Sequence, residues 1–127
     1  MSYEVFPPIT AEKEGFYPES VYRRAIELYP SVSDLVTKKA EENGEKVWLE
    51  FQDGRTFTYR DADRISDRLA AGFHHQGVRE DTHVAIFGIN SPEWIFSYFG
   101  LLKLGAVPVT VNTGFVKDPL VYNFTAS

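Results

Sequence analysis

The sequence predicts an α/β domain: a three-layer βαβ unit with a mostly parallel sheet and one antiparallel hairpin. Three observations predict it. Capped helical stretches alternate with short strand-like runs along most of the chain. "HVAIFGI" and "AVPVTV" are apolar runs too short for helices, the pattern of strands in a covered parallel sheet. "VWLEFQDGRTFT" carries alternation around Asp53-Gly54, a two-residue turn signal for a hairpin.

The elements follow in order. Residues 1–30 read as an arm: Pro7, Pro8 and Pro18 deny it a ladder, while Tyr3, Phe6, Phe16 and Tyr17 pin it across a surface. A short helix over Glu19–Tyr29 ends it before Pro30. Residues 31–127 form the second unit. Ser31 and Asp34 have capping-box spacing, and Gly44 is the stop of the helix they open. After the hairpin, Thr58 and Asp61 repeat that spacing. Ala62, Ile65, Leu69 and Phe73 then make one apolar stripe that ends at Gly77. Ser91 caps the next helix, with Pro92 at its first position, Glu93 in its first turn and Gly105 as its stop. Asp118 to Ser127 begins a further helix.

Helix 92–104 carries Trp94, Ile95, Phe96, Tyr98, Phe99, Leu101, Leu102 and Leu104, and is apolar almost all round. Such a helix is buried all round, and a chain of 127 residues offers few layers to bury it. The expectation is that covering surface comes from elsewhere.

Composition bounds the function. Hydrophobic residues at 43% with aromatics at 15% allow a sizeable core. A net charge of −5 without a basic cluster argues against nucleic acid, whose phosphates need Lys and Arg. The absence of cysteine excludes disulfides and thiolate metal sites, and is compatible with a cytoplasmic setting. The first residues lack a basic, then apolar, leader pattern, and no run is long and apolar enough to span a membrane.

The candidate chemistry thins out on inspection. Gly100 and Gly105 have the glycine spacing of a phosphate loop, but Ala106 and Val107 follow where Lys and Ser/Thr are needed. The order, helix then glycine then strand, is also inverted, so Gly105 reads as a helix stop and Lys103 as a last-turn lysine on the helix dipole. His74 and His75 are adjacent and diverge on a helix, and His83 begins a strand, so no metal site is indicated. Asp61, Asp63 and Asp67 are interleaved with Arg60, Arg64 and Arg68 and read as a solvated, charge-laced face rather than an acid/base pair. Asn123-Phe124-Thr125 matches the glycosylation pattern and is read as chance.

The residues themselves resemble a known family. "FTYRDADRISDRLAAGF", "GVREDTHVAIFGINSPEW" and above all "GLLKLGAVPVTVNT" are similar to blocks in the N-terminal part of adenylate-forming enzymes, specifically acyl-CoA synthetases. The similarity runs over residues 32–115. The ending "VNTGF" resembles fatty-acyl and carnitine/crotonobetaine-type CoA ligases more than peptide synthetase modules. The resemblance implies an activity for the complete enzyme: carboxylate, ATP and CoA give acyl-CoA, AMP and pyrophosphate, with Mg²⁺. It also implies a Ser/Thr/Gly-rich phosphate loop downstream, so catalytic residues are not carried over to this chain and no cofactor is expected on it alone. Asn112, Thr113, Gly114 and Phe115 fall where the family places loops at the edge of the ligand cleft. Some CoA ligases have an arginine two residues after the asparagine, near the CoA nucleotide; here that residue is Gly114.

Two functional expectations stand. In the first, the chain is an N-terminal piece of an acyl-CoA synthetase, inactive alone, whose partner is the remainder of that enzyme. In the second, it is a non-catalytic module that self-associates through helix 92–104 or a sheet edge. A dinucleotide-binding enzyme ranks last, since its glycine fingerprint is absent.

Overall fold

The computed structural model describes residues 19–114. The elements are α1 (Glu19–Leu28), α2 (Val32–Asn43), β1 (Val47–Glu50), β2 (Thr56–Thr58), α3 (Tyr59–His75), β3 (His83–Phe87), α4 (Pro92–Lys103) and β4 (Val107–Val111). Strands β1 and β2 form an antiparallel hairpin, and β3 and β4 pair in parallel, so the mixed α/β class holds. The arm before Glu19, the helix expected after Asp118, the Asn123 pattern and Phe115 lie outside the described residues.

The helix starts form as their spacing dictates. Ser31 Oγ accepts from the Asp34 amide at 3.0 Å and opens α2. At α3 both halves of the capping box are made: Thr58 Oγ1 accepts from the Asp61 amide at 3.1 Å, and the Thr58 amide donates to Asp61 at 3.0 Å. That second bond holds the Asp61 carboxyl below its ordinary range. A carboxyl depressed in the fold adds stability above its unfolded pKa, and that stability is lost as pH falls through the folded value. The Asp61 contribution is therefore full above about pH 4 and fades below it. Asp61→Asn should flatten the acid limb of a urea-unfolding series run from pH 7 to pH 2, while the parent chain keeps its slope.

The helix ends are glycine-made. Gly105 has φ 72°, its amide donates to Leu102 O at 3.0 Å, and the Ala106 amide donates to Leu101 O at 3.0 Å. This is the left-handed closure that satisfies the last carbonyls of α4 and turns the chain into β4. A Cβ here is also crowded by Glu80 Cγ at 3.2 Å. Gly105→Ala should cost about 1–2 kcal/mol, read as a lower thermal midpoint. Gly77 closes α3 with the same pair of bonds. Gly44 departs from the expected left-handed stop: it is right-handed, φ −44° and ψ −44°. Glycine is needed there for room, since a Cβ would sit 2.6 Å from Arg60 Nη2 and 2.7 Å from Ala40 O.

The hairpin turn is longer than the two-residue signal implies. Phe51 N–H donates to Arg55 O, and Gly54 N–H, at φ 89°, donates to Phe51 O, each at 2.9 Å. Three residues, Gln52 to Gly54, thus form the loop, a turn followed by a left-handed glycine. The β1–β2 register is irregular between Val47 and Leu49. The irregularity falls at Trp48, whose ring lies 5.6 Å from Phe99 and 6.1 Å from Phe96.

Helix α4 is the centre. Of its residues only Glu93 is exposed, and Pro92, Phe96, Gly100 and Leu101 are buried. Helices α2 and α3 pack along it, and β3 and β4 pack on it from the sheet. The described residues cover this helix in part: α2, α3, the hairpin aromatics and the sheet bury Phe96 and Leu101, while Trp94, Ile95, Tyr98, Phe99 and Leu102 stay half-buried. The α3 stripe is corrected. Its fully buried positions are Ala62, Ser66 and Ala70, while Ile65, Leu69 and Phe73 flank them half-buried. Small residues win because the backbones meet: a Cβ on Gly100 would lie 3.1 Å from Ser66 O and 3.2 Å from Ala70 N. Ser66 is satisfied internally, donating to Ala62 O at 2.6 Å.

Strand β3 does not have both faces covered by the described residues. Val84 and Ile86 are half-buried, whereas His83, Ala85 and Phe87 are exposed. With Ile89 and Val107, they leave an apolar sheet face open among the described residues.

Candidate functional site

Parallel pairing fixes where a site can form. The register sets Phe87 beside Val111, so β3 and β4 end at the same edge, and the residues that follow them are neighbours. Ligands of open α/β sheets bind at such carboxyl ends of strands. Here a groove of about 570 Å³ opens between the two strand ends and the first turn of α4. It is lined by Gly88, Ile89 and Asn90 after β3, Trp94 of α4, and Thr110 to Thr113 at the end of β4.

Local geometry positions each side. Ser91 caps α4 by accepting from the Trp94 amide at 3.1 Å, which fixes where Trp94 leaves the helix. The Trp94 ring stacks on Tyr98 at 5.6 Å with 9° between planes, a rigid wall for the groove. Gly88 keeps the floor open; an added Cβ would touch only Trp94, at 3.9 Å. Asn112 Oδ1 accepts from the Gly114 amide at 2.8 Å, a local turn that ends β4.

Of the four cleft-edge residues expected from the sequence, Asn112 and Thr113 line this groove. Gly114 lies beyond it, exposed, and Phe115 is outside the described residues. Gly88, Ile89, Asn90, Trp94 and Thr110 were not among the sequence candidates. The signal that marks Gly88, Ile89 and Asn90 is their place after the apolar run "HVAIF", at the end of a parallel strand.

The groove carries no charge. Its hydrogen-bonding groups are the Asn90 and Asn112 amides and the Thr110 and Thr113 hydroxyls, with no carboxylate, lysine or arginine on the lining. That donor set does not fit a Mg²⁺ ion, which takes carboxylate and phosphate oxygens. Among the described residues no group of three His, Asp or Glu side chains could hold a metal ion. The start of α4 is not a free anion site either. Ser91 occupies the cap, Pro92 has no N–H, and the first-turn Glu93 carboxylate is held below its ordinary range by the Arg55 guanidinium, which also pairs with Asp53 at 2.8 Å.

Two charged readings change with the structure. Lys103 does more than complement a dipole: its Nζ donates to Asp63 Oδ1 and Asp67 Oδ1, each at 2.6 Å, and to Asp63 O at 3.1 Å. Asp63 also accepts from Thr37 Oγ1 at 3.0 Å. The expected solvated face of α3 is therefore a clasp onto α4 and α2, although Arg64 and Arg68 do face solvent. Gly100, the first glycine of the apparent phosphate loop, is buried against α3 in mid-helix. His74, His75 and His83 are exposed.

Comparison with known proteins places this arrangement. A profile of the AMP-binding enzyme family matches residues 36–127. The crotonobetaine/carnitine–CoA ligase of Proteus mirabilis is 39% identical over 64 residues, 50% of this chain and 12% of that enzyme. Triostin synthetase I of Streptomyces triostinicus is 31% identical over 113 residues, 84% of this chain and 21% of that protein. The N-terminal subdomain of Klebsiella oxytoca NpsA, solved with anthranilyl-AMSN, superposes with a TM-score of 0.72 at 29% identity, over 76% of this chain and 25% of the other. The profile spans the hairpin and the βαβ unit, and the chain belongs to the family of AMP-binding, adenylate-forming enzymes.

Proposed function

We propose that the chain is the N-terminal portion of an ATP-dependent acyl-CoA synthetase that converts a carboxylate, ATP and CoA to acyl-CoA, AMP and pyrophosphate. In this reading residues 31–127 are part of the first subdomain, and residues 1–30 are an arm with a short helix leading into it. The remainder of the parent enzyme is the partner and supplies the ATP and Mg²⁺ contacts. The carboxylate is a fatty or carnitine-type acid, and the setting is the cytoplasm. Asn112, Thr113, Gly114 and Phe115 belong to the cleft edge, and the chain alone is inactive.

The observation that carries the reading is a mismatch of extent. The fold matches the NpsA subdomain over 76% of this chain, yet spans 25% of that subdomain and 12% of the Proteus ligase. The described residues hold a groove of amides and hydroxyls, and among them no group of three His, Asp or Glu side chains could hold a metal ion. Two results test it. The native gene should continue in frame after codon 127 into a Ser/Thr/Gly-rich loop. The chain alone, given ATP, Mg²⁺, CoA and a panel of carboxylates, should release no pyrophosphate above background; turnover would refute the reading.

One observation favours a second reading, a self-associating module. Phe87, Ile89 and Val107 are 49%, 76% and 38% exposed on the sheet side, and apolar patches of this kind mark association surfaces. Helix 92–104, the other surface expected for self-association, is half-buried at Trp94, Ile95, Tyr98, Phe99 and Leu102. A defined dimer of the native chain in the analytical ultracentrifuge, together with a native stop codon, would favour it.

A further inference from the structure

We propose that a second cleft, between α2, β1, α3 and α4, seats the chain's own N-terminal arm, with the Phe6 ring inserted and the Glu4 carboxylate set against Lys39. The proposal rests on reading residues 1–30 as an arm and goes beyond it by naming the surface the arm covers. The cleft has a volume of about 240 Å³. Leu35 of α2, Trp48 of β1, Tyr59 of α3 and Phe99 of α4 wall it, and Lys39 of α2, whose Nζ donates to the half-exposed Glu42 at 2.7 Å, marks its rim. The Trp48 and Phe99 rings lie 5.6 Å apart, yet both are only half-buried, and Leu35 is 37% exposed. An apolar group that fills the space between them removes that surface from water and adds aromatic contact.

Three observations choose the occupant. The first is attachment. The arm leads into α1, and the end of α1 abuts the rim: Lys38 Nζ donates to Leu28 O at 2.6 Å, and Lys39 Nζ lies 5.0 Å from the Tyr29 ring. The second is reach. Helix α1 is about 15 Å long, and the chain from Phe6 to Glu19 extends to about 40 Å, so Phe6 can return to the rim whichever way α1 points. Phe16 and Tyr17, within about 10 Å of Glu19, have too little chain to span the helix. The third is charge. "YEVF" sets Glu4 between two aromatics, and the Lys39 ammonium, with three N–H groups, has a donor left beside its bond to Glu42. Pro7 and Pro8 follow at once and restrict the chain, which lowers the cost of ordering the seated segment. The residues after β4 suit the cleft less well: they leave from Gly114 at the sheet edge, and no residue of β3 or β4 lines the cleft.

The test uses the full 127-residue chain, ¹⁵N-labelled, and exploits its lack of cysteine. Ser2→Cys supplies a single thiol, and a nitroxide attached there broadens the NMR signals of protons near it. The Trp48 indole and Lys39 amide signals should broaden, while the Trp94 indole, at the groove, should stay sharp. Phe6→Ala should lower the ratio of seated to unseated arm about tenfold or more, the loss of one buried aromatic. Glu4→Gln should lower it about twofold to fivefold, and Phe16→Ala should leave it unchanged. Unchanged chemical shifts in α3 and α4 would show that each variant is folded. Broadening at Phe87 and Val107 instead would overturn the assignment in favour of the open sheet face. Broadening of a nitroxide-free ¹⁵N chain mixed with a nitroxide-bearing unlabelled one would overturn it in favour of a second copy's arm, and no broadening at the cleft would overturn it outright. Each of these results leaves the acyl-CoA synthetase reading intact, because that reading depends on pyrophosphate release by the parent enzyme.

Discussion

Replacing Phe96 by alanine should destabilise the chain by about 3–5 kcal/mol. Phe96 is 3% exposed and sits where three elements meet. Its ring is 5.0 Å from Phe57 in an edge-on arrangement and 6.1 Å from Trp48, so it joins α4 to both strands of the hairpin. Truncation removes apolar burial, leaves a cavity that the short hairpin cannot easily fill, and breaks two aromatic contacts worth about 0.5–1.5 kcal/mol each beyond burial. Urea unfolding followed by far-UV circular dichroism checks this. A loss below about 1 kcal/mol would mean that the hairpin is not docked on α4 as described.

Lys103→Ala should cost about 2–3 kcal/mol. Removing one partner of a fully buried pair costs about 3–5 kcal/mol. The Lys103 side chain is 9% exposed and Asp63 24%, but Asp67 is 63% exposed, so solvent recovers part of the loss there. The effect should persist in high salt, because screening acts chiefly on exposed charges. Lys103→Met, which keeps much of the stem packing, separates the charge from the methylenes. A double-mutant cycle with Asp63→Asn should show coupling, whereas Asp67→Asn alone should cost little. An additive cycle would contradict the clasp.

Much of this fold is legible in local chemistry. Ser31, Thr58 and Ser91 cap their helices as their spacing implies, and Gly77 and Gly105 end theirs, because caps and stops depend on residues a turn apart. What the sequence hides are outcomes of tertiary contact. Nothing local says that Gly100 meets Ser66 and Ala70, so the stripe on α3 is misjudged in favour of its larger residues. Nothing local joins Lys103 to Asp63, 40 residues away, so both read as surface charges. The apolar run of β3 reads as covered on both faces because periodicity reports what a strand can bury, not what is present to bury it. The site splits the same way. "VNT" at the end of β4 is marked by its resemblance to a family block. Gly88, Asn90 and Trp94 become neighbours of it only once the parallel register is known.

The run "GLLKLGAVPVTVN" shows why order matters more than composition. Its glycines have phosphate-loop spacing, yet one is a contact point for α3 and the other a helix stop. Its physical role is to carry the chain from a buried helix to a strand whose end forms the groove.

The proposed function, a part of an enzyme that activates a carboxylate as its adenylate and passes the acyl group to CoA, has one decisive readout. The most direct measurement is ATP–pyrophosphate exchange by the parent enzyme, with and without a carboxylate, followed by AMP and thioester detection on adding CoA. The account expects carboxylate-dependent exchange, and thioester with stoichiometric AMP only when CoA is present. Absence of carboxylate-dependent exchange across fatty and carnitine-type acids, or exchange with no thioester formed on CoA, would contradict it.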